Sequence, residues 1–106
     1  MSAGPDGVRS RTVAAREREA RRAQRERLGR WGHELNSEVS AELLKTELRL
    51  SRTATDDLDK AMERDVLTGR GYARVLRVAW TMADLAGLAV PGRDCVSTAL
   101  AFRQQV

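Results

Sequence analysis

Isoleucine is absent from this chain, and its aromatic residues are two tryptophans, one tyrosine and one phenylalanine. With so few β-branched and aromatic residues at alternating positions, a sheet has no signal and an all-α fold is expected. A single cysteine, Cys95, excludes an internal disulfide and fits a reducing compartment, so a cytoplasmic location is expected. No apolar run approaches the roughly 18 residues that a membrane span needs. The first residues also lack the apolar core of a signal peptide, so no membrane partner is expected. The two prolines leave long uninterrupted stretches for helices. A chain of 106 residues has room for one modest core.

Chemical motifs are missing as well. There is no GxxxxGK[ST] phosphate loop and no dinucleotide fingerprint. His33 and Cys95 lack metal-ligand spacing, so no metal site is expected; His33 reads as a turn residue and Cys95 as a small buried hydrophobe. No serine or cysteine has an activating context. Asp56, Asp57 and Asp59 lie near a helix start, where capping and dipole roles explain them better than a metal does. The chain alone has no catalytic residues and is not expected to be an independent enzyme.

What is present is arginine, unevenly placed. Between Arg9 and Arg30 nine arginines face only Glu17, Glu19 and Glu26, which puts +6 on one segment of a chain whose total is +4. Residues 1–7 read as a disordered lead-in, and residues 8–35 as a basic helix running to about Trp31. In that helix Glu17–Arg21, Arg22–Glu26 and Glu26–Arg30 are spaced to pair. It has a thin apolar stripe and should bury least, with Asn36 in the turn beyond it. Its arginines could contact nucleic acid phosphates, or they could be a solvated, self-paired face.

Residues 36–106 read as a helical bundle, for about four to five helices in all. Ser40 should cap a short helix carrying Leu43, Leu44 and Leu48. Thr55 should cap the next, with Asp56 and Asp57 in its first turn and Leu58, Ala61 and Met62 facing inward. Thr68 should cap a long fourth helix that ends at Gly87, before Pro91. In it Tyr72, Val75, Leu76, Ala79, Met82, Ala83 and Ala86 form one broad apolar side. Arg70, Arg74, Arg77, Thr81 and Asp84 form a stripe opposite. A last helix turns Val96, Ala99, Leu100 and Phe102 inward.

The stripe can be a solvated face. Alternatively, Arg70 in "TGRG", with Gly69 and Gly71 beside it, marks an anion site. A cation at the positive end of a helix is locally unfavourable unless an anion is near, and glycines allow close approach. Here a resemblance enters. "TGRGYARVLRVAWTMADLAG" followed by "DCVSTALAFR" resembles the C-terminal helical domain of the magnesium-chelatase-like AAA+ ATPases, and is most similar to the ComM/YifB-type branch. "VRSRTVAAREREARRAQ" resembles the helix that links the ATPase core to this domain, and "LNSEV" the turn after it. The resemblance covers residues 8–103.

The resemblance implies a lid that packs over nucleotide held by a core lying elsewhere. Arg70 matches sensor 2, the arginine that approaches the γ-phosphate of ATP. Arg74 and Arg77, with Gly69 and Gly71, match positions that could make phosphate or interdomain contacts. ATP and Mg²⁺ would be cofactors of the full-length protein, with none held by this segment alone. The implied partners are the AAA+ core of the same chain, five further copies in a homohexamer, and DNA. The implied work is ATP-driven DNA remodelling. The neighbouring branch, in which a magnesium chelatase subunit inserts Mg²⁺ into a porphyrin, and a stand-alone basic DNA-binding module are the alternatives. Trp80 stands where the family pattern has another arginine, which implies that this face is packed.

Overall fold

The structure is a computed structural model that describes residues 4–104, with side chains described for 12–102. Five helices are joined by short turns: α1 (Gly4–Leu28), α2 (Ala41–Lys45), α3 (Arg52–Glu63), α4 (Gly69–Leu85) and α5 (Arg93–Gln104). The described residues contain no strand, so the fold is all-α as the composition predicts. Short 3₁₀ turns at Gly29–Trp31 and Asn36–Glu38 connect α1 to α2. Helix α1 begins four residues earlier than expected and closes at Leu28 before the first of these turns. The expected lead-in therefore overlaps its start, and residues 1–3 lie outside the described residues.

Local chemistry sets the helix ends. Ser40 Oγ accepts from Leu43 N–H at 3.1 Å, as expected. The cap of α3 is Ser51, whose Oγ accepts from Ala54 N–H at 3.2 Å, and not Thr55. Thr55 lies one turn inside and is buried; it donates to Asp59 Oδ2 at 3.0 Å. Asp56 and Asp57 accordingly leave the first turn. They meet Arg93 of α5 at 3.6 and 3.1 Å. Ser97 donates to Asp57 Oδ2 at 2.6 Å, and this bond, followed by Arg93, holds the Asp57 carboxyl below its ordinary range.

Helix α4 ends where Gly87 turns left-handed, at φ 74°. Gly87 N–H then donates to Asp84 O and Leu88 N–H to Ala83 O, closing the last turn. Asp65, at φ 58°, ends α3 in the same way without a glycine.

Helix α4 is the centre, packed against α1, α2, α3 and α5. Leu58, Val75, Ala79, Ala83 and Val96 are completely or almost completely buried, as the periodicity predicts. Leu43 and Leu100 pack at the margin of this core, as does Cys95, which is half-buried. Met62 and Phe102 were expected inside but lie exposed, at 36% and 60%.

The larger correction concerns the polar stripe of α4. Only its beginning is exposed. Asp84 is 4% exposed, and Thr81 and Arg77 are half-buried, because the last turns of α1 cover this side. Helix α1 therefore buries more than expected: Ala20, Gln24 and Leu28 are inside.

What joins α1 to α4 is polar. Arg27 donates to both carboxylate oxygens of Asp84, Nη1 to Oδ1 at 2.7 Å and Nη2 to Oδ2 at 2.8 Å. Nη2 also donates to Asn36 Oδ1 at 2.8 Å. Asn36 Nδ2 donates onward to Asp84 Oδ2 and Thr81 Oγ1, at 2.9 and 3.0 Å. Gln24 Oε1 accepts from the Asn36 N–H at 3.0 Å. The guanidinium lies 4.4 Å from the centre of the buried Trp80 ring, so a cation–π contact backs the pair. The bidentate fork and the amide satisfy nearly every lone pair of a carboxylate that is out of water.

Two substitutions separate the apolar and polar contributions to this packing. Leu76→Ala should lower unfolding free energy by about 2–5 kcal/mol through the cavity it leaves. Asp84→Ala should cost about 3–5 kcal/mol because it strands the Arg27 charge. Urea unfolding followed by circular dichroism checks both. An Asp84→Ala variant as stable as the parent would show that the pair does not hold α1.

Candidate functional site

The start of α4 is the exposed end of the same helix. Thr68 is its cap: Oγ1 accepts from Gly71 N–H at 3.0 Å, and its carbonyl from Tyr72 N–H at 2.8 Å. The first turn contains no acid. Arg70 therefore sits beside the positive pole of a 17-residue helix with no acid in that turn to offset it. It is exposed and makes no hydrogen bond or ion pair among the described residues. A methyl group built on Gly69 would meet nothing within 4 Å, so this side is open. Gly71, by contrast, is buried on the inner side.

The three arginines of the stripe now separate. Arg74 is exposed and unpaired among the described residues, like Arg70. Arg77 is half-buried, and its Nε donates to the Val39 carbonyl at 2.7 Å, which ties α4 to the turn before α2. Arg77 is thus a structural tether, while Arg70 and Arg74 keep their donors free.

Beside Arg70, an apolar cleft of about 270 Å³ opens between α2, α3 and α4, lined by Ala41, Leu44, Met62, Gly69, Tyr72 and Leu76. At its edge the Tyr72 hydroxyl donates to Asp59 Oδ1 at 2.7 Å. Burial first, and the Asp59 carboxylate second, push the phenol up to about 12 from its ordinary 10.0. A more polar groove continues past it, lined by Lys45, Arg49 and Arg52 together with Asp56, Asp59 and Glu63.

The site thus sits on a small all-α domain, with an unpaired arginine in the open first turn of its central helix. The family model described as magnesium chelatase, subunit ChlI C-terminal, matches residues 7–103, and the chain belongs to that family, the lid domain of magnesium-chelatase-like proteins. Among similar proteins, uncharacterized proteins of Mycobacterium bovis and Mycobacterium tuberculosis are 44% identical to it over 99 residues. The match takes in 93% of this chain and 20% of theirs, so the chain spans about a fifth of the length of these relatives. No solved structure matches significantly. No helix among the described residues is long and apolar enough to cross a membrane.

Sequence reasoning passed over Arg27, Asn36 and Asp84, each of which looks like an ordinary surface residue in its own segment. Trp80, which stands where the family pattern has another arginine, was the one signal that something covers that side.

The single tyrosine makes the cleft directly measurable. Its raised pKa means that the neutral phenol favours the fold fully below pH 10.0, the unfolded value, and that this contribution is lost as pH rises through about 12. Absorbance titration should place the folded midpoint near 12 and the denatured one near 10.0. Asp59→Asn should bring the folded midpoint down. A folded midpoint at the denatured value would remove the Tyr72–Asp59 contact.

Proposed function

We propose that this chain is the nucleotide-sensing lid of a longer AAA+ ATPase of the ComM/YifB type, in which Arg70 is the sensor 2 arginine. The observation that carries this reading is the unpaired Arg70 guanidinium beside the free N–H end of α4. A forked cation and a helix N-terminus together favour a phosphate oxygen, and both lie on an open surface. Family membership supports the lid assignment.

Nucleotide fits this end of the domain; Mg²⁺ does not find ligands in it. Among the described residues no group of three or more His, Cys, Asp or Glu could hold a metal. Both ATP and its Mg²⁺ would be held mainly by the core of the same chain. When bound, ATP supplies the phosphate charge that Arg70 neutralises. The chain's own contribution is to position that guanidinium and to transmit lid angle through α4 to α1. The full protein would assemble as a homohexamer and work on DNA. The magnesium chelatase branch, in which Mg²⁺ is inserted into a porphyrin, is the second reading, favoured by the description of the matching family.

In the whole ATPase, Arg70→Ala should reduce turnover on the order of a hundredfold, as loss of one preorganised donor to developing charge does. Unfolding free energy should stay within about 0.5 kcal/mol, because the side chain is exposed. Unchanged turnover in a folded variant would remove Arg70 from the nucleotide site.

A further inference from the structure

Helix α1 has a second charged face that the lid does not use. On a helix of 3.6 residues per turn, Arg18, Arg21, Arg22 and Arg25 fall within a sector of roughly 100°, its centre about 110° from that of the buried Ala20, Gln24 and Leu28, with Arg21 at the border between them. All four are exposed and, with Ala15 and one acid, Glu19, border one surface depression of about 360 Å³. The glutamates that are interleaved in the sequence are sorted in space. Glu19 and Glu26 share one flank of the sector, and Glu17 lies on the other.

Self-pairing is correspondingly sparse. Of the three spaced pairs only Arg22–Glu26 forms, at 3.5 Å with both side chains about two-thirds exposed. Such a pair is weak. Glu17–Arg21 does not form among the described residues, and Arg30 stacks 4.9 Å over Trp31 instead of meeting Glu26. Arg18, Arg21 and Arg25 have no acidic partner among the described residues.

We propose that the Arg18–Arg21–Arg22–Arg25 face of α1 is a docking track for the sugar–phosphate backbone of duplex DNA. The inference deepens the DNA half of the function proposed above but stands on different residues. Charge complementarity selects the occupant. The track is arginine throughout, a forked donor suited to phosphate oxygens, and it extends for about 10 Å at 1.5 Å per residue. Duplex DNA offers about one charge per 1.7 Å of axis over that length.

A protein partner would need apolar anchors at the centre of its interface. This face offers only the half-buried Ala14 and Ala15. A single strand would need aromatic platforms to stack on. Trp80 is buried, Trp31 packs against the core, Tyr72 lines the cleft on α4, and the exposed Phe102 lies on α5 and not on this face. The clamp of Arg27 on Asp84 holds the opposite side of α1, so the helix backbone that carries the track is already in place.

The test is fluorescence anisotropy of the full chain with a labelled random-sequence duplex across a salt series. Log affinity should fall linearly with log salt, with a slope of about −3 to −4. The R18Q/R25Q variant should flatten that slope by about two, whereas R18K/R25K should keep it. The charge-matched variant R52Q/R64Q should leave it unchanged.

No duplex binding at low salt would overturn the inference. So would a slope that R52Q/R64Q flattens as much as R18Q/R25Q does. Tighter binding of a single strand, or of a polyglutamate peptide, would overturn it in favour of that partner. None of these outcomes bears on the turnover of the Arg70→Ala enzyme, so the two proposals stand or fall separately.

Discussion

The bidentate contact between Arg27 and Asp84 is the constraint on which the rest of this structure depends. It places a carboxylate of the central helix out of water, and it is tolerable only because the guanidinium, Asn36 and the Trp80 face surround it. An apolar seam of the same size would hold α1 as well, but with less definition. The fork, the amide and the ring fix distance, rotation and register together, so α1 leaves the bundle in one direction.

The same helix shows how position divides chemically identical residues. Along α4, Arg77 is committed to the Val39 carbonyl, while Arg70 and Arg74 are not committed to anything described. Along α1, Arg27 is committed to Asp84 and the outward arginines are largely free. Committed arginines build the domain, and the uncommitted ones include those at the start of α4 and on the outer face of α1. A positive charge left unpaired beside a helix N-terminus is locally unfavourable, and its natural compensation is an anion brought by another surface.

Much of the fold was legible in the chain. The helical class followed from what was lacking, and the Ser40 and Thr68 caps and the Gly87 stop followed from local hydrogen-bond chemistry. Leu58, Val75, Ala79, Ala83 and Val96 were placed by period alone. The misreadings share a cause. Periodicity assumes that a helix has one buried side, yet α4 is covered on both sides along its second half, so Asp84 looked like surface. Ser51 and Thr55 are both acceptable caps, and only tertiary packing buries the second. Phe102 reads as core by type but lies beyond the reach of the bundle. At the candidate site, the exposure of Arg70 was legible from its place beside the cap. The commitment of Arg77 was not, because its acceptor is a backbone carbonyl 38 residues away.

On the proposed reading Arg70 is held ready for a phosphate. The most direct measurement is the structure of the full-length protein with a non-hydrolysable ATP analogue. The Arg70 guanidinium is expected at about 2.7–2.9 Å from an oxygen of the terminal phosphate, the range of charge-assisted hydrogen bonds. A guanidinium left in solvent, with the lid closed and the terminal phosphate held by other cations, would contradict the role assigned to it.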